Sequence, residues 1–254
     1  MTLNRPEQRN ALSDEVLSAL DRITQAPLDG VRAVVIRGNG TAFCAGGDIK
    51  QFARDLQSAD PATIAAYNRR FGTILQRLTR APVPVIAAIH GAAMGGGMGF
   101  AAAADITLAT ADTAFSLTET TLGLVPAQIC PFVVDRLGAH TARRLMLTAA
   151  RFRAPEAYRL GLVDEVVDDL DAAVDTLVDR IRRCAPGANA LTKRLVTDCT
   201  SVDMTTVLDD AARLFGKVML SAEARTGVDA FLSGGSPGWA TDSSRAATEE
   251  VAPQ

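Results

Sequence analysis

Short apolar runs alternate with glycine-rich turns and helix-like patterns over the first two thirds of the chain. The segments VRAVVIRG, which begins at Val31, and PVPVIAAIHG, at 82–91, are rich in β-branched and small apolar residues, which predicts buried strands. Each is followed by a glycine turn and a helix-like pattern that begins near Asp48 or Gly96. Shorter strands are predicted in DITLAT, AFSLTE and GLVDEVV, and a helix in ARRLMLTAA. Strands that alternate with helices indicate an α/β fold.

The pattern changes after about residue 170, where apolar residues recur every three or four positions. This periodicity predicts a helical C-terminal region. The final stretch, TDSSRAATEEVAPQ, lacks apolar anchors, and we expect it to be disordered. The chain is therefore divided into a core at 1–185, a helical region at 186–240 and a tail at 241–254. The periodicity does not decide between a doubly wound sheet and a coiled stack of ββα units.

Composition narrows the class of protein. The 254 residues are 48% hydrophobic and carry a net charge of −3, with no stripe of Lys and Arg, which excludes a dedicated nucleic-acid surface. Only two histidines are present, and the cysteines are scattered without a CxxC pair, so neither a metal site nor a disulfide framework is expected. The first residues lack the apolar segment of a signal peptide, and no run is long enough for a membrane span. We expect a cytoplasmic protein. The cysteines are Cys44, Cys130, Cys184 and Cys199.

Two glycine-rich loops share one design, namely a strand, then small residues, then a helix start. They are FCAGGDIKQF at 43–52 and AAMGGGMGF at 92–100. Helix N-termini present unpaired N–H groups, and glycine allows an anionic oxygen to approach them closely. Each loop alone is equally compatible with a tight turn packed against a neighbour. Neither loop matches a phosphate-binding or dinucleotide motif, and the chain has no GxSxG nucleophile elbow. Two converging N–H donors would instead stabilise a thioester carbonyl as it becomes an enolate.

Four ordered segments, TLNRPEQRNAL, FCAGGDIKQF, GAAMGGGMGFAAAADI and FSLTETTLGLVP, resemble the enoyl-CoA hydratase/isomerase (crotonase) family. The resemblance runs from the first residues to DAFLSGGSPGW and implies a crotonase-like spiral of ββα units, with a helical C-terminal region that forms a homotrimer or homohexamer. It also implies an acyl-CoA thioester as substrate, and no cofactor beyond the CoA that the substrate itself carries.

The resemblance assigns roles to particular residues. The backbone N–H groups of Gly47 and Gly96 would form an oxyanion hole. Asp48 is equally suited to cap the following helix, and the charges of Arg9 and Lys50 fit ordinary solvated positions as well. The residues that would bind the substrate around the hole are Arg9, Ala45, Asp48, Ile49, Lys50 and Gly95.

The family's hydratases use two glutamates, and this chain has one of them. Glu119 follows Phe115 by four residues in FSLTE, with Thr118 where the family has proline, whereas Gly99 stands where the other glutamate is expected. One carboxylate is enough to move a proton between two carbons, which is isomerisation, while hydration needs both a base for water and an acid for carbon. Gln128, nine residues after Glu119, fits either a water-orienting or a structural role.

The segment LTETTLGLVPAQICPFVV resembles bacterial hydratases of 3-methylglutaconyl-CoA and isohexenylglutaconyl-CoA, which likewise look to have glycine at the position of Gly99. We therefore expect a hydratase that uses Glu119 alone. The substrate's own carboxylate, or a water in the space left by Gly99, would supplement it. Three alternatives stay open, namely an enoyl-CoA isomerase that uses the same residues, an inactive acyl-CoA-binding protein and a thioester hydrolase. The histidines, His90 and His140, are interpreted as structural.

Overall fold

The computed structural model describes residues 1–58, 60–199, 203–241 and 250–251, and two sheets organise this part of the chain. The larger sheet has the strand order β8-β5-β3-β2-β1-β9, and the smaller has the order β4-β6-β7. The larger sheet consists of β1 (Thr2–Leu3), β2 (Val34–Gly38), β3 (Val85–Ile89), β5 (Ile106–Thr110), β8 (Glu165–Val167) and β9 (Glu250–Val251). The smaller consists of β4 (Ala92–Met94), β6 (Ala114–Ser116) and β7 (Phe152–Arg153).

Helices alternate with strands through the first two thirds of the chain, and helices predominate after β8. The helices of the core are α1 (Asp14–Gln25), α2 (Ile49–Ser58), α3 (Pro61–Arg80), α4 (Gly96–Ala103), α5 (Cys130–Thr148), α6 (Ala154–Leu160) and α7 (Leu170–Arg183). The C-terminal helices are α8 (Pro186–Cys199), α9 (Met204–Met219), α10 (Ala222–Leu232) and α11 (Gly238–Thr241). The helix predicted in ARRLMLTAA is the second half of α5, which Gly138 interrupts with a non-helical backbone.

A repeating ββα unit builds the core. β3 of the larger sheet leads into β4 of the smaller sheet and then into α4, and β5 leads into β6 and then towards α5. The crossing from β3 to β4 occurs at Gly91, where φ is +64° and a Cβ atom would lie 2.1 Å from Thr41 O, so only glycine fits. This arrangement resolves the alternative left open above in favour of the ββα spiral, and the predicted α/β class is confirmed.

The interior is centred on α4, all of whose residues are buried. Its Phe100 meets Phe43 and Phe71 edge to face, with ring centroids 6.3 and 5.4 Å away. The small residues of α4 allow close approach, since a Cβ atom on Gly97 would lie 2.6 Å from Cys44 O. The glycines and alanines of this helix are therefore a packing requirement as well as a way to open its N-terminus.

Lys193 attaches the C-terminal helix α8 to the core. Lys193 of α8 donates from Nζ to Leu78 O at 3.0 Å, to Val83 O at 3.2 Å and to Asp105 Oδ2 at 2.6 Å. The first of these C-terminal helices, α8, begins at Pro186. In the described part of the chain, no helix is long and apolar enough to cross a membrane.

The predicted disordered tail, 241–254, lies mostly outside the described residues. Within the described part, Glu250 and Val251 pair in parallel with β1 as β9, and Val251 is buried. Expecting disorder was therefore wrong at these two residues. Asn4 donates its N–H to Val251 O at 3.2 Å, a long-range pairing that local composition does not reveal.

Candidate functional site

The two glycine loops lie side by side. Cys44 and Ala93 form an isolated parallel bridge, in which Cys44 N donates to Ala92 O at 3.0 Å and Met94 N donates to Cys44 O at 2.9 Å. The loop before α2 and the loop before α4 are therefore held in register by backbone hydrogen bonds. Two helix N-termini that are about 50 residues apart in the chain open at the same place.

Glycine is needed where the loops touch. Gly46 has φ +90°, and a Cβ atom on it would lie 2.9 Å from Met94 O. Gly95 has φ +48°, and its Cβ position is 3.7 Å from Gly46 Cα. Both residues have a positive φ that strains any residue other than glycine, and a side chain on Gly46 would also push the loops apart.

Gly47 and Gly96, the predicted oxyanion-hole residues, follow directly after these contacts. Leu12 fixes the first loop, because its N–H donates to Gly46 O at 2.8 Å and its carbonyl accepts from Asp48 N at 3.2 Å. Within the described part of the chain, neither the N–H of Gly47 nor that of Gly96 donates a hydrogen bond. Since Gly96 is the first residue of α4, its N–H also lies at the positive end of the helix dipole.

Apolar side chains pack against both Gly47 and Gly96. The Phe52 ring lies 2.4 Å from the Cβ position of Gly47, and Leu12 Cδ1 lies 2.5 Å from that of Gly96, where Phe71 also packs. Any residue larger than glycine would have to displace these side chains. The sequence analysis missed Phe52, Leu12 and Phe71, although all three lie in segments that resemble the family or in helix α3.

Glu119 brings a carboxyl to the same place. It begins a short 3-10 helix, and its Oε1 lies 2.9 Å from the Cβ position of Gly95. Its Oε2 is buried and has no hydrogen-bond partner in the described residues. Burial raises the pKa of the Glu119 carboxyl above its usual value, against a smaller lowering by its own backbone N–H. A buried acceptor without a partner costs about 1–3 kcal/mol, and groups of this kind concentrate at functional sites.

The turn that carries Glu119 is fixed on both sides. Before it, Ser116 Oγ donates to Ala149 O at 3.0 Å, and after it, Thr120 Oγ1 donates to Met146 O at 2.9 Å. Leu124 N closes the turn by donating to Glu119 O at 3.0 Å. The C-terminal end of α5 therefore holds the turn and sets the position of the carboxyl.

The space beside Gly99 is filled, which corrects one expectation. A Cβ atom on Gly99 would lie 2.5 Å from Ile129 Cγ2 and 3.3 Å from Leu75 Cδ1. The hypothesis of a water held in the space left by Gly99 was therefore wrong, because the buried side chain of Ile129 occupies it. The contact joins the end of the 119–129 segment to α4, and nothing local in the sequence around Gly99 could reveal it.

The predicted substrate-binding residues of the first loop lie around the two glycines. Asp48 caps α2, since its Oδ1 accepts from Lys50 N at 3.0 Å and from Gln51 N at 3.3 Å, which confirms the capping interpretation. Its Oδ2 lies 3.5 Å from Arg5 NH1, a partner that the sequence analysis did not single out. Ile49 is exposed, as is Lys50.

Arg9 contacts the loop before α2 through its backbone carbonyl. It has φ +51°, and its carbonyl accepts from Ala45 N at 2.9 Å, while its side chain is exposed. The neighbouring Asn10 is buried and ties three segments together. Its Nδ2 donates to Asn39 O at 2.9 Å and to Ala42 O at 2.8 Å, and its Oδ1 accepts from Arg5 N at 2.8 Å. Asn10 is thus a structural residue of the site that the sequence analysis quoted but did not interpret.

Other reactive side chains are accounted for structurally. Burial raises the pKa of the Cys44 thiol to about 12, so this cysteine is not a nucleophile at neutral pH. His90 Nε2 lies 2.9 Å from Gly40 O, in keeping with a structural role. Among the described residues, no cluster of His, Cys, Asp and Glu could hold a metal ion.

Fold and site together define a class. The molecule is an α/β protein of ββα units in which the Glu119 carboxyl and two backbone N–H groups, unpaired within the described residues, lie near two adjacent helix N-termini. Comparison with known sequences agrees with this class, since the enoyl-CoA hydratase/isomerase family profile matches residues 1–242. The chain belongs to the enoyl-CoA hydratase/isomerase family.

Individual relatives are similar over nearly the whole chain. The 1,2-epoxyphenylacetyl-CoA isomerase of Escherichia coli K12 is 32% identical, over 93% of this chain and 92% of its own length. A probable enoyl-CoA hydratase of Rhodobacter capsulatus is 33% identical, over 91% of this chain and 90% of its own length. Among solved structures, Pseudomonas aeruginosa AtuE superposes with a TM-score of 0.91 at 44% identity, covering 94% of this chain and 95% of its own.

Proposed function

We propose that the protein is an enoyl-CoA hydratase, which adds water to an α,β-unsaturated acyl-CoA thioester. The observation that carries this proposal is the Glu119 carboxyl beside the N-terminus of α4, whose buried Oε2 has no partner among the described residues. Membership of the family and the hydratase names of several relatives support it. The same carboxyl argues against an inactive binding protein, because an unpaired buried carboxyl without a function is a net cost.

The geometry supports a reaction that uses one carboxyl. The thioester oxygen accepts hydrogen bonds from the N–H groups of Gly47 and Gly96. The Glu119 carboxylate takes a proton from water while the water oxygen bonds to the β-carbon, and the electron pair of the double bond moves to the thioester as an enolate. Glu119 then returns the proton to the α-carbon, and the enolate collapses to the thioester. One water is added and Glu119 is regenerated. Each backbone donor contributes about 3–4 kcal/mol to lowering the barrier.

The rest of the substrate extends from this centre. We assign the CoA part to the exposed rim of the first loop, where Ala45, Ile49 and the cationic side chains of Arg9 and Lys50 surround the glycines and Gly95 borders the thioester. Asp48 holds the start of α2 in place. The proposed hydration needs no metal and no cofactor besides the CoA of the substrate.

We propose a glutaconyl-type substrate, one with a carboxylate of its own. Ile129 and Leu75 close the face at Gly99, so the chain supplies no second acid there. A carboxylate on the substrate would provide the additional polar group that simple enoyl-CoA substrates lack. The resemblance of the 117–134 segment to hydratases of such substrates supports this choice.

An isomerase that uses Glu119 alone is the second candidate. The apolar contact between Gly99 and Ile129 favours it, because a dry site with one carboxyl is suited to moving a proton between two carbons. The two activities differ in product, since only hydration adds the mass of water.

The deciding experiment is a mass-resolved turnover assay of the purified protein on crotonyl-CoA and 3-methylglutaconyl-CoA. We expect a product heavier by one water, and we expect Glu119→Gln to lower the rate by a factor of about 10²–10⁴. A product with the same mass as its β,γ-unsaturated thioester substrate, with no water added to any thioester tested, would establish the isomerase instead. Turnover that Glu119→Gln leaves intact would reject both.

We further propose a homotrimer or homohexamer in the cytoplasm. Large apolar side chains of α9 and α10 are exposed in the single chain, and a subunit interface would cover them. They include Leu208, Phe215, Val228, Phe231 and Leu232. Sedimentation velocity at micromolar concentration tests this, and a monomer would contradict it.

A further inference from the structure

A glycine in the middle of α3 makes room for two polar side chains. Gln128 Oε1 lies 2.0 Å from the position that a Cβ atom on Gly72 would occupy, and Arg69 NH1 lies 3.2 Å from the same point. Glycine inside a helix costs about 1 kcal/mol relative to alanine. At this position it creates a notch in which the amide of Gln128 and the guanidinium of Arg69 come together.

Arg69 differs in its partners from Arg70 and Arg77, two other arginines of α3. Arg70 is paired with Asp14, and Arg77 with Asp21, so both connect α3 to α1. In the described part of the chain, Arg69 forms no ion pair, and its guanidinium donates one hydrogen bond, to Thr73 Oγ1 at 2.9 Å. A guanidinium has five N–H donors, so most of those of Arg69 are available to a ligand.

Gln128 is also available. Its side chain is half-buried, and within the described residues its amide forms no hydrogen bond. A half-buried amide without a partner is suited to a ligand that enters the notch, because the ligand's oxygen replaces water as the acceptor of its N–H groups.

The notch continues the site that contains Glu119. Glu119 contacts Gly95, and one helical turn further along α4, about 5 Å away, Gly99 contacts Ile129 and Leu75. Gln128 precedes Ile129 in the chain, and Gly72 lies one turn before Leu75 on α3. Contacts thus lead from the carboxyl, through the buried side chains of Ile129 and Leu75, to a cationic and amide pair.

We propose that Arg69 and Gln128 form a subsite for a carboxylate at the far end of the acyl group. This inference rests on the proposed function, and it names the residues that would select a dicarboxylic acyl-CoA. The guanidinium and a carboxylate form two parallel hydrogen bonds, and the Gln128 amide donates another. An acyl group that ends in a methyl leaves both polar side chains without a partner.

The test compares glutaryl-CoA with butyryl-CoA, two saturated thioesters that differ by one carboxylate. Calorimetry gives the ratio of their dissociation constants for the unmodified protein, for Arg69→Gln and for Arg80→Gln. Arg80 is a matched control, since it is an exposed arginine at the end of the same helix. We expect the unmodified protein and Arg80→Gln to favour glutaryl-CoA, and Arg69→Gln to lose about 10- to 100-fold of that preference. No preference in the unmodified protein, or equal ratios for the two variants, would overturn the proposal.

A second variant tests the notch itself. Gly72→Ala favours the helix but displaces the end of the Gln128 side chain, so we expect it to fold and to lose part of the preference for glutaryl-CoA. An unchanged preference in Gly72→Ala would remove Gln128 from the subsite. Because binding of saturated thioesters needs no turnover, the result is independent of the hydratase assay. Turnover without preference would reject only the subsite, and preference without turnover would reject only the hydratase.

Discussion

Gly95 and Gly99 lie one turn apart at the start of α4, and the chain uses the space beside them in opposite ways. The side of Gly95 receives the Glu119 carboxyl, whose buried Oε2 has no hydrogen-bond partner in the described part of the chain. The side of Gly99 receives Ile129 and Leu75, which pack as in a hydrophobic core. Two glycines that look alike in the sequence therefore serve different purposes, one opening space for a reactive group and the other for packing.

The difference shows how the site can combine reactivity with stability. The contact at Gly95 is unfavourable for the folded state, because a carboxyl is desolvated without a partner. The contact at Gly99 is favourable, because it buries the side chain of Ile129. We expect substitutions at Gly95 to lower mainly the turnover rate, and substitutions at Gly99 to lower mainly the free energy of unfolding.

The largest expected effect is on turnover, at Gly95. Gly95→Ala places a Cβ atom 2.9 Å from Glu119 Oε1, so the carboxyl must move. A displacement of about 1 Å at a reacting group lowers the rate about 100-fold. Steady-state kinetics on the better of the two thioesters measures this.

Gly161→Ala is the matched control for backbone strain. Gly161 has φ +83°, and nothing lies within 4 Å of its Cβ position, so this substitution introduces strain without moving a neighbour. We expect it to lower stability by about 1 kcal/mol and to leave kcat unchanged. If both variants lose turnover equally, the contact between Gly95 and Glu119 has no special part in the reaction.

Much of this arrangement could be predicted from the sequence, because it is encoded locally. The strands β2, β3, β5 and β6 follow from runs of apolar residues, and the start of α4 follows from its glycines after a strand. Glu119 was found through its spacing from Phe115 in a segment that resembles the family. The cap formed by Asp48 is likewise a local signal, a carboxylate just before a helix.

The remainder depends on contacts between distant segments. Ile129 lies 30 residues from Gly99 in the chain, and only the packing of the 119–129 segment against α4 brings them together. The same holds for Arg69 and Gln128, which meet at Gly72, and for β9, which pairs with β1 across almost the entire chain. Periodicity reports which face of an element is buried, but it does not report which partner covers that face.

The second prediction concerns packing at Gly99. Gly99→Ala forces a Cβ atom against Ile129 Cγ2, and overpacking of this kind costs about 1–3 kcal/mol, partly offset by about 1 kcal/mol of helix propensity. Ile129→Ala alone leaves a cavity and costs about 2–4 kcal/mol. Urea denaturation of the two single variants and the double variant gives the coupling between them. We expect the double variant to lose about 1 kcal/mol less free energy of unfolding than the two single variants lose together. Strict additivity would mean that the two residues do not share one space.

The smallest expected effect is a pH dependence of stability that originates at Glu119. Burial raises the pKa of its carboxyl in the folded protein above the value of 4.5 in the unfolded chain, so the folded state binds a proton more tightly. Its contribution to stability is therefore complete below pH 4.5 and is lost as the pH rises through the raised pKa. Glu119→Gln keeps the shape of the side chain and removes the charge, so we expect the variant to be about 1 kcal/mol more stable than the unmodified protein at pH 7.5. The difference should shrink towards pH 4.5. Thermal unfolding of both proteins at the two pH values measures it. A difference that stays constant with pH would show that the carboxyl does not titrate differently on folding, and it would weaken the contrast between the two sides of α4.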